Sequence, residues 1–299
     1  MSVSATHETA HFPGVYAATT TPFRDDGSVD SGEFAKHCGW LVDEGVTGLV
    51  PNGSLGEYEG LSDSERAELV VTAIDAAAGR VPVIPGVSGK SAREACRWAE
   101  QAAQAGAGAV MALPPTAHKP TDDEVVAHFA EIARVGLPII AYNNPFSTRV
   151  DLVPSLLARL AEIEQVQAVK EFSQDARRVA QIREQAPRLE VICGCDDVFV
   201  ESMLLGATGW IAGLVNAFPA ALVRLYELCA GGEYVTAAGQ YRAMLPALRW
   251  DADPRFVQAI KLAQEEAGRY GGPVRLPRLP LPPAEAAAAR ADARAALAA

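Results

Sequence analysis

The chain has 299 residues, 49% of them hydrophobic, with a net charge of −11 and a pI near 5.0. That length and apolar fraction allow a large buried core, which argues against disorder. The acidity argues against nonspecific nucleic-acid binding, because phosphate contacts need clustered Lys and Arg. Residues 1–12 are polar without an apolar targeting segment, and about 18 consecutive apolar residues occur nowhere. No membrane association is therefore expected, and a cytoplasmic location is. Five dispersed cysteines (Cys38, Cys96, Cys193, Cys195, Cys229) fit free thiols better than a disulfide framework.

In chain order, short apolar segments alternate with amphipathic stretches of helical period. Strands are expected at 14–20, 48–52, 81–87, 109–113, 138–143, 166–172, 190–195 and 209–213, with a helix after each. The helix over 62–78 opens on a capping-box pattern at Ser62-Asp63-Ser64-Glu65, and the helix over 91–105 stops before Gly106. Eight strands alternating with helices over about 220 residues predict a parallel (β/α)8 TIM barrel at 12–230. An open doubly wound sheet is the competing arrangement. It would carry a glycine-rich phosphate loop after its first strand, where this chain has Thr19-Thr20-Thr21-Pro22-Phe23. Beyond 230 only helices are expected (233–249, 255–268 and from 283), with an extended proline-rich segment at 273–283. Residues 231–299 thus read as a C-terminal helical extension.

Side chains at the C-terminal ends of barrel strands build the active site in this fold, so polar residues there matter most. Lys170 closes the run Val-Gln-Ala-Val-Lys-Glu-Phe and is one of only five lysines. A lysine buried among apolar groups must be paired or lose its proton, and a neutral amine can attack a carbonyl to form a Schiff base. The alternative is a lysine that snorkels from the strand end or pairs with a carboxylate. Tyr142 ends the neighbouring predicted strand, about 4.8 Å away, where an inward phenol could relay protons; it could equally be a core aromatic. The turn Gly53-Ser54-Leu55-Gly56 can offer backbone N–H groups and the Ser54 hydroxyl to an anion. The five histidines (His7, His11, His37, His118, His128) are scattered without metal-ligand spacing, so no metal and no cofactor is expected. His118 and Lys119 fall near the expected barrel mouth, as solvated loop residues or as contacts to substrate.

As a set, Gly53-Ser54-Leu55-Gly56-Glu57, Tyr142-Asn143-x-Pro145, Val169-Lys170 and Gly194-x-Asp196-Asp197 resemble the dihydrodipicolinate synthase and N-acetylneuraminate lyase superfamily of class I aldolase-type barrels. The resemblance runs from Gly14-Val15 through Thr21-Pro22-Phe23 to Arg275-Leu276-Pro277. It implies a lyase with Lys170 as Schiff-base lysine, Tyr142 as proton relay, and Ser54 with the loop amides binding the carboxylate of a 2-oxo acid. It further implies substrate contacts from Gly53, Leu55, Asn143, Ile211 and Ala212, and a homotetramer.

Three positions depart from the synthases proper, which have threonine at Leu55, a second tyrosine at Ala117 and arginine at Ser147. These changes remove a shared hydroxyl relay and a carboxylate clamp for an aldehyde partner. The chain is more similar to 1-pyrroline-4-hydroxy-2-carboxylate deaminases, which share Tyr142-Asn143-Asn144-Pro145, Asp196-Asp197-Val198-x-x-Glu201, Gly209-Trp210-x-x-Gly213 and the stretch 251–262. The reaction implied is dehydration and deamination of that cyclic imine to 2-oxoglutarate semialdehyde. Alternatives are a 2-keto-3-deoxy sugar-acid dehydratase or aldolase, dihydrodipicolinate synthase itself, or a non-enzymatic barrel that binds a 2-oxo acid.

Overall fold

The computed structural model describes residues 10–299, so His7 and the first nine residues lie outside it. Seven parallel strands form one sheet: β1 (Gly14–Ala18), β2 (Gly48–Val50), β3 (Val110–Ala112), β4 (Ile139–Asn143), β5 (Val166–Glu171), β6 (Glu190–Cys193) and β7 (Gly209–Ala212). Their order is β2-β1-β7-β6-β5-β4-β3. Each is shorter than its expected segment, by one residue for 138–143 and 166–172 and by two for most others.

The gap between β2 and β3 is filled by the segment expected as a strand at 81–87, which pairs only through isolated parallel bridges, Leu49 with Val83 and Gly86 with Met111. Ile84 N donates to Leu49 O, and Val87 N to Met111 O. Pro82 and Pro85 lack the N–H that a continuous ladder needs, so the pairing is broken at those positions while the chain still runs between its neighbours. The result is a TIM barrel, closed on this side by an interrupted strand.

Helices cover the outside, and their ends follow local chemistry. The helix Asp63–Ala77 starts at a complete capping box between Ser62 and Glu65, and Ala92–Ala105 ends on Gly106 in the left-handed region (φ 96°). No helix among the described residues is long and apolar enough to cross a membrane. After residue 230 come Tyr234–Leu248, Phe256–Glu266 and Pro283–Leu297. Tyr241, Met244, Leu248, Val257 and Ile260 from the first two belong to the same apolar core as the barrel strands. The extension is therefore packed into the barrel's core, and its residues reach the cavity described next.

Candidate active site

Register places the central pair. Tyr142 on β4 is aligned with Lys170 on β5, and Lys170 with Ile192 on β6. Aligned residues of a parallel ladder share a face, so both polar side chains enter the barrel together. Lys170 Nζ lies 4.4 Å from the centre of the Tyr142 ring. Asn144 Nδ2 donates to Tyr142 Oη at 3.0 Å, which fixes the phenol. Both residues line a cavity of about 410 Å³, together with Gly53, Ser54 and Leu55. That volume suits a small organic acid.

Lys170 is buried, and desolvation pulls its pKa below the ordinary lysine value. Two buried carboxylates, Asp251 and Asp196, oppose that shift. Asp196 accepts from Trp210 Nε1 (2.9 Å), Leu214 N (2.7 Å) and Gly213 N (3.2 Å). Burial nevertheless pushes its carboxyl up to about 7. Asp251 accepts from Asp196 N at 3.2 Å, and burial beside Asp196 pushes it well above the carboxylate range. The three groups act on one another electrostatically: burial disfavours the charged amine, while the charged forms of the two carboxyls favour it. Tyr142 is driven above the usual tyrosine value, chiefly by burial, so its hydroxyl remains protonated as a donor.

Two glycines make room for this arrangement. A Cβ on Gly194 would stand 2.9 Å from Lys170 Cε and 2.8 Å from Glu171 O. One on Gly213 would stand 2.3 Å from Asp251 Oδ1.

The turn after β2 is held from behind. Asn52 Nδ2 donates to Arg66 O, and the Arg66 guanidinium stacks 4.1 Å from the Trp98 ring while bonding Ser88 O. Thr21 Oγ1 bonds Gly56 O at 2.7 Å. Within this braced turn the N–H groups of Ser54 and Leu55 make no backbone hydrogen bond among the described residues, and both residues line the cavity. Unpaired amides beside a hydroxyl are donors for a carboxylate.

Three expected contacts lie elsewhere. Asn143 alternates with Tyr142 to the outer face, where its Nδ2 donates to Glu171 and Asp151 and its Oδ1 accepts from Leu152 N. Its work is structural, pinning the segment after β4. Ile211 faces inward in register with Tyr16, and Ala212 outward with Ala17. Neither lines the cavity; Gly213 does. His118 and Lys119 are exposed, His118 lying 3.8 Å from Glu124, while the preceding Thr116 and Ala117 line an outer cavity. Cys193 and Cys195 are buried free thiols, and burial raises Cys193 to about 12. Sequence reasoning missed Asp251, Phe256 and Arg278, all cavity-lining residues of the C-terminal extension. The repeated acid pattern Asp251-Ala252-Asp253 was the available signal, but nothing local ties it to a strand end.

A parallel barrel with a buried lysine and a tyrosine on adjacent strand ends defines an aldolase-type barrel. The chain belongs to the dihydrodipicolinate synthetase family, whose model matches residues 11–296. It is 34% identical over 274 residues to a DapA-like lyase of Rhizobium meliloti, covering 89% of this chain and 90% of that protein. To a 4-hydroxy-tetrahydrodipicolinate synthase of Methanospirillum hungatei it is 33% identical over 273 residues, covering 89% and 93%. A family member from an E. coli K12 prophage, solved in complex with pyruvate, superposes with a TM-score of 0.88 at 30% identity, over 94% of this chain and 97% of that one.

Proposed function

We propose that this protein is a Schiff-base lyase acting on a small 2-oxo acid, with Lys170 as the nucleophile. The observation that carries the reading is the desolvated Lys170 amine over the Tyr142 ring in a cavity with free amide donors on its rim. The pyruvate bound in the solved relative supports the substrate class. The neutral amine adds to C2, Tyr142 supplies a proton to the carbonyl oxygen, and water leaves as the iminium forms. Loss of a C3 proton then gives an enamine, which can expel hydroxide from C4 or, in another substrate, add to an aldehyde. The Ser54 hydroxyl and the amides of Ser54 and Leu55 hold the C1 carboxylate.

Within this class, elimination from a 4-hydroxylated five-carbon 2-oxo acid or its cyclic imine, including the hydroxypyrroline deamination, is supported by Leu55, Ala117 and Ser147. Condensation is the second reading, supported by the names of the relatives, which favour it over the deaminase. Leu55 and Ser147 line the cavity, and Ala117 and Ser147 the outer one, so all three departures stand where substrate would pass.

Borohydride reduction in the presence of pyruvate is the test. It should add a pyruvyl-derived mass to the Lys170 peptide and none in Lys170→Ala; label on another lysine would refute the assignment. Product analysis separates the substrate readings: ammonia with 2-oxoglutarate semialdehyde marks the deaminase, and turnover of pyruvate with aspartate semialdehyde marks the synthase. Assembly as a homotetramer belongs to the same proposal and is checked by light scattering.

A further inference from the structure

We infer that Arg278, in the proline-rich segment after the helix Phe256–Glu266, is a specificity-determining residue that receives a second carboxylate at the far end of the substrate. The inference rests on the 2-oxo acid reading above and, within it, favours 2-oxo acids with a second carboxylate over the hydroxypyrroline.

Placement is the first argument. The inner cavity opens beside an outer one of about 570 Å³, and only Ser54, Ser147, Phe256 and Arg278 line both. Arg278 thus stands at the threshold between them. A 2-oxo acid joined to Lys170 through C2, with its C1 carboxylate on the turn at Ser54, has its remaining carbons in the cavity that Arg278 borders.

Charge is the second. The Arg278 side chain is partly exposed (29%), and among the described residues one carboxylate oxygen, Glu57 Oε2, comes within 4 Å of its guanidinium, at 3.7 Å from Nε. This exceeds hydrogen-bond distance. Glu57 is already matched: Lys261 Nζ donates to it at 2.9 Å in a pair with both side chains nearly fully buried, and Arg275 N donates at 3.1 Å. Arg275 is itself paired with Glu65 at 2.7 Å. The Arg278 charge is therefore left over on this side of the cavity. Glu59 and Lys90, of opposite sign, are the other ionised side chains lining the outer cavity. An arginine with unused donors facing a substrate cavity is suited to bidentate binding of a carboxylate.

The test compares acids of equal chain length that differ in the terminal group. Dissociation constants are measured by calorimetry for 2-oxoglutarate against 2-oxopentanoate, and for 2-oxoadipate against 2-oxohexanoate. The wild type should prefer the dicarboxylate by roughly 10- to 100-fold in at least one pair, the usual worth of a charge-assisted bond. Arg278→Gln should bring that ratio close to one, and Arg278→Lys should restore part of it. Equal binding within both pairs in the wild type would overturn the inference, as would a preference that survives in Arg278→Gln. A parallel loss of both acids, leaving the ratio intact, would reduce Arg278 to a structural role and overturn it too. Borohydride trapping reads the Lys170 assignment separately, because calorimetry reports the preference whether or not an imine forms.

Discussion

Replacing Gly194 by alanine tests whether the geometry around Lys170 is set by the strand that faces it. The added Cβ would meet Lys170 Cε at 2.9 Å, Lys170 Cγ at 3.0 Å and Glu171 O at 2.8 Å. Carbon atoms settle at about 3.5–4.0 Å, so each contact is short by roughly 0.5–1 Å. The Glu171 carbonyl accepts from Gly194 N in the β5–β6 region and cannot retreat alone, which leaves the lysine side chain to move. A displacement approaching 1 Å at a reacting group costs on the order of 10²-fold in rate. Overpacking of this size costs about 1–3 kcal/mol of stability. The rate of borohydride-trapped adduct formation with pyruvate should thus fall about 100-fold in a protein that still unfolds cooperatively. Gly239→Ala is the control: its site is exposed in the helix Tyr234–Leu248, nothing lies within 4 Å of the new Cβ, and it should gain about 0.5–1 kcal/mol without touching the trapping rate. A Gly194→Ala protein that traps pyruvate at the wild-type rate would refute the reasoning.

Tyr142→Phe removes the proposed proton donor and should lower kcat by about 10²- to 10⁴-fold while circular dichroism stays native; unchanged kcat would make the tyrosine a packing residue. Asp251→Asn takes away a carboxyl whose charged form raises the Lys170 pKa, so the protonated amine becomes less favourable and the acidic limb of the kcat/KM profile should move to lower pH. A limb that stays put or moves upward contradicts the electrostatic coupling of Asp251 to Lys170. Lys261→Met leaves the Glu57 carboxylate buried without its partner and should cost about 3–5 kcal/mol in urea unfolding, with much of it regained in the Glu57→Gln, Lys261→Met double variant. Additive losses would show that the pair is not coupled.

The alternation of apolar segments and helices made the barrel legible, because a strand with both faces covered must be apolar throughout and short. The 81–87 segment shows the limit of that signal. Its apolar content places it in the wall, while Pro82 and Pro85 decide the hydrogen bonding. That Lys170 and Tyr142 meet in the cavity was legible because each puts a polar atom near the end of an apolar run. Asn143 was not placed correctly, since one residue along a strand reverses the face, and its amide serves Glu171 and Leu152 outside the barrel. Asp251 and Arg278 come from segments far along the chain, and no local pattern records which part of the barrel mouth they reach.

That last point bears on how substrate choice arises in this chain. The strand ends supply the lysine and tyrosine, whose positions follow from ladder register and change little without breaking the barrel. The C-terminal extension supplies Asp251 beside the amine, Phe256 and Arg278 at the outer end, and Lys261, which anchors the Glu57 end of the turn bearing Ser54. Lys261 Nζ also donates to Pro273 O at 2.7 Å, so one buried ammonium ties the turn bearing Ser54 to the segment that carries Arg278. The two ends of a bound dicarboxylate would thus be held by elements joined at Glu57, through its buried ion pair with Lys261 and its bond from Arg275 N. Loosening that pair should weaken selectivity between acids before it alters the chemistry at Lys170.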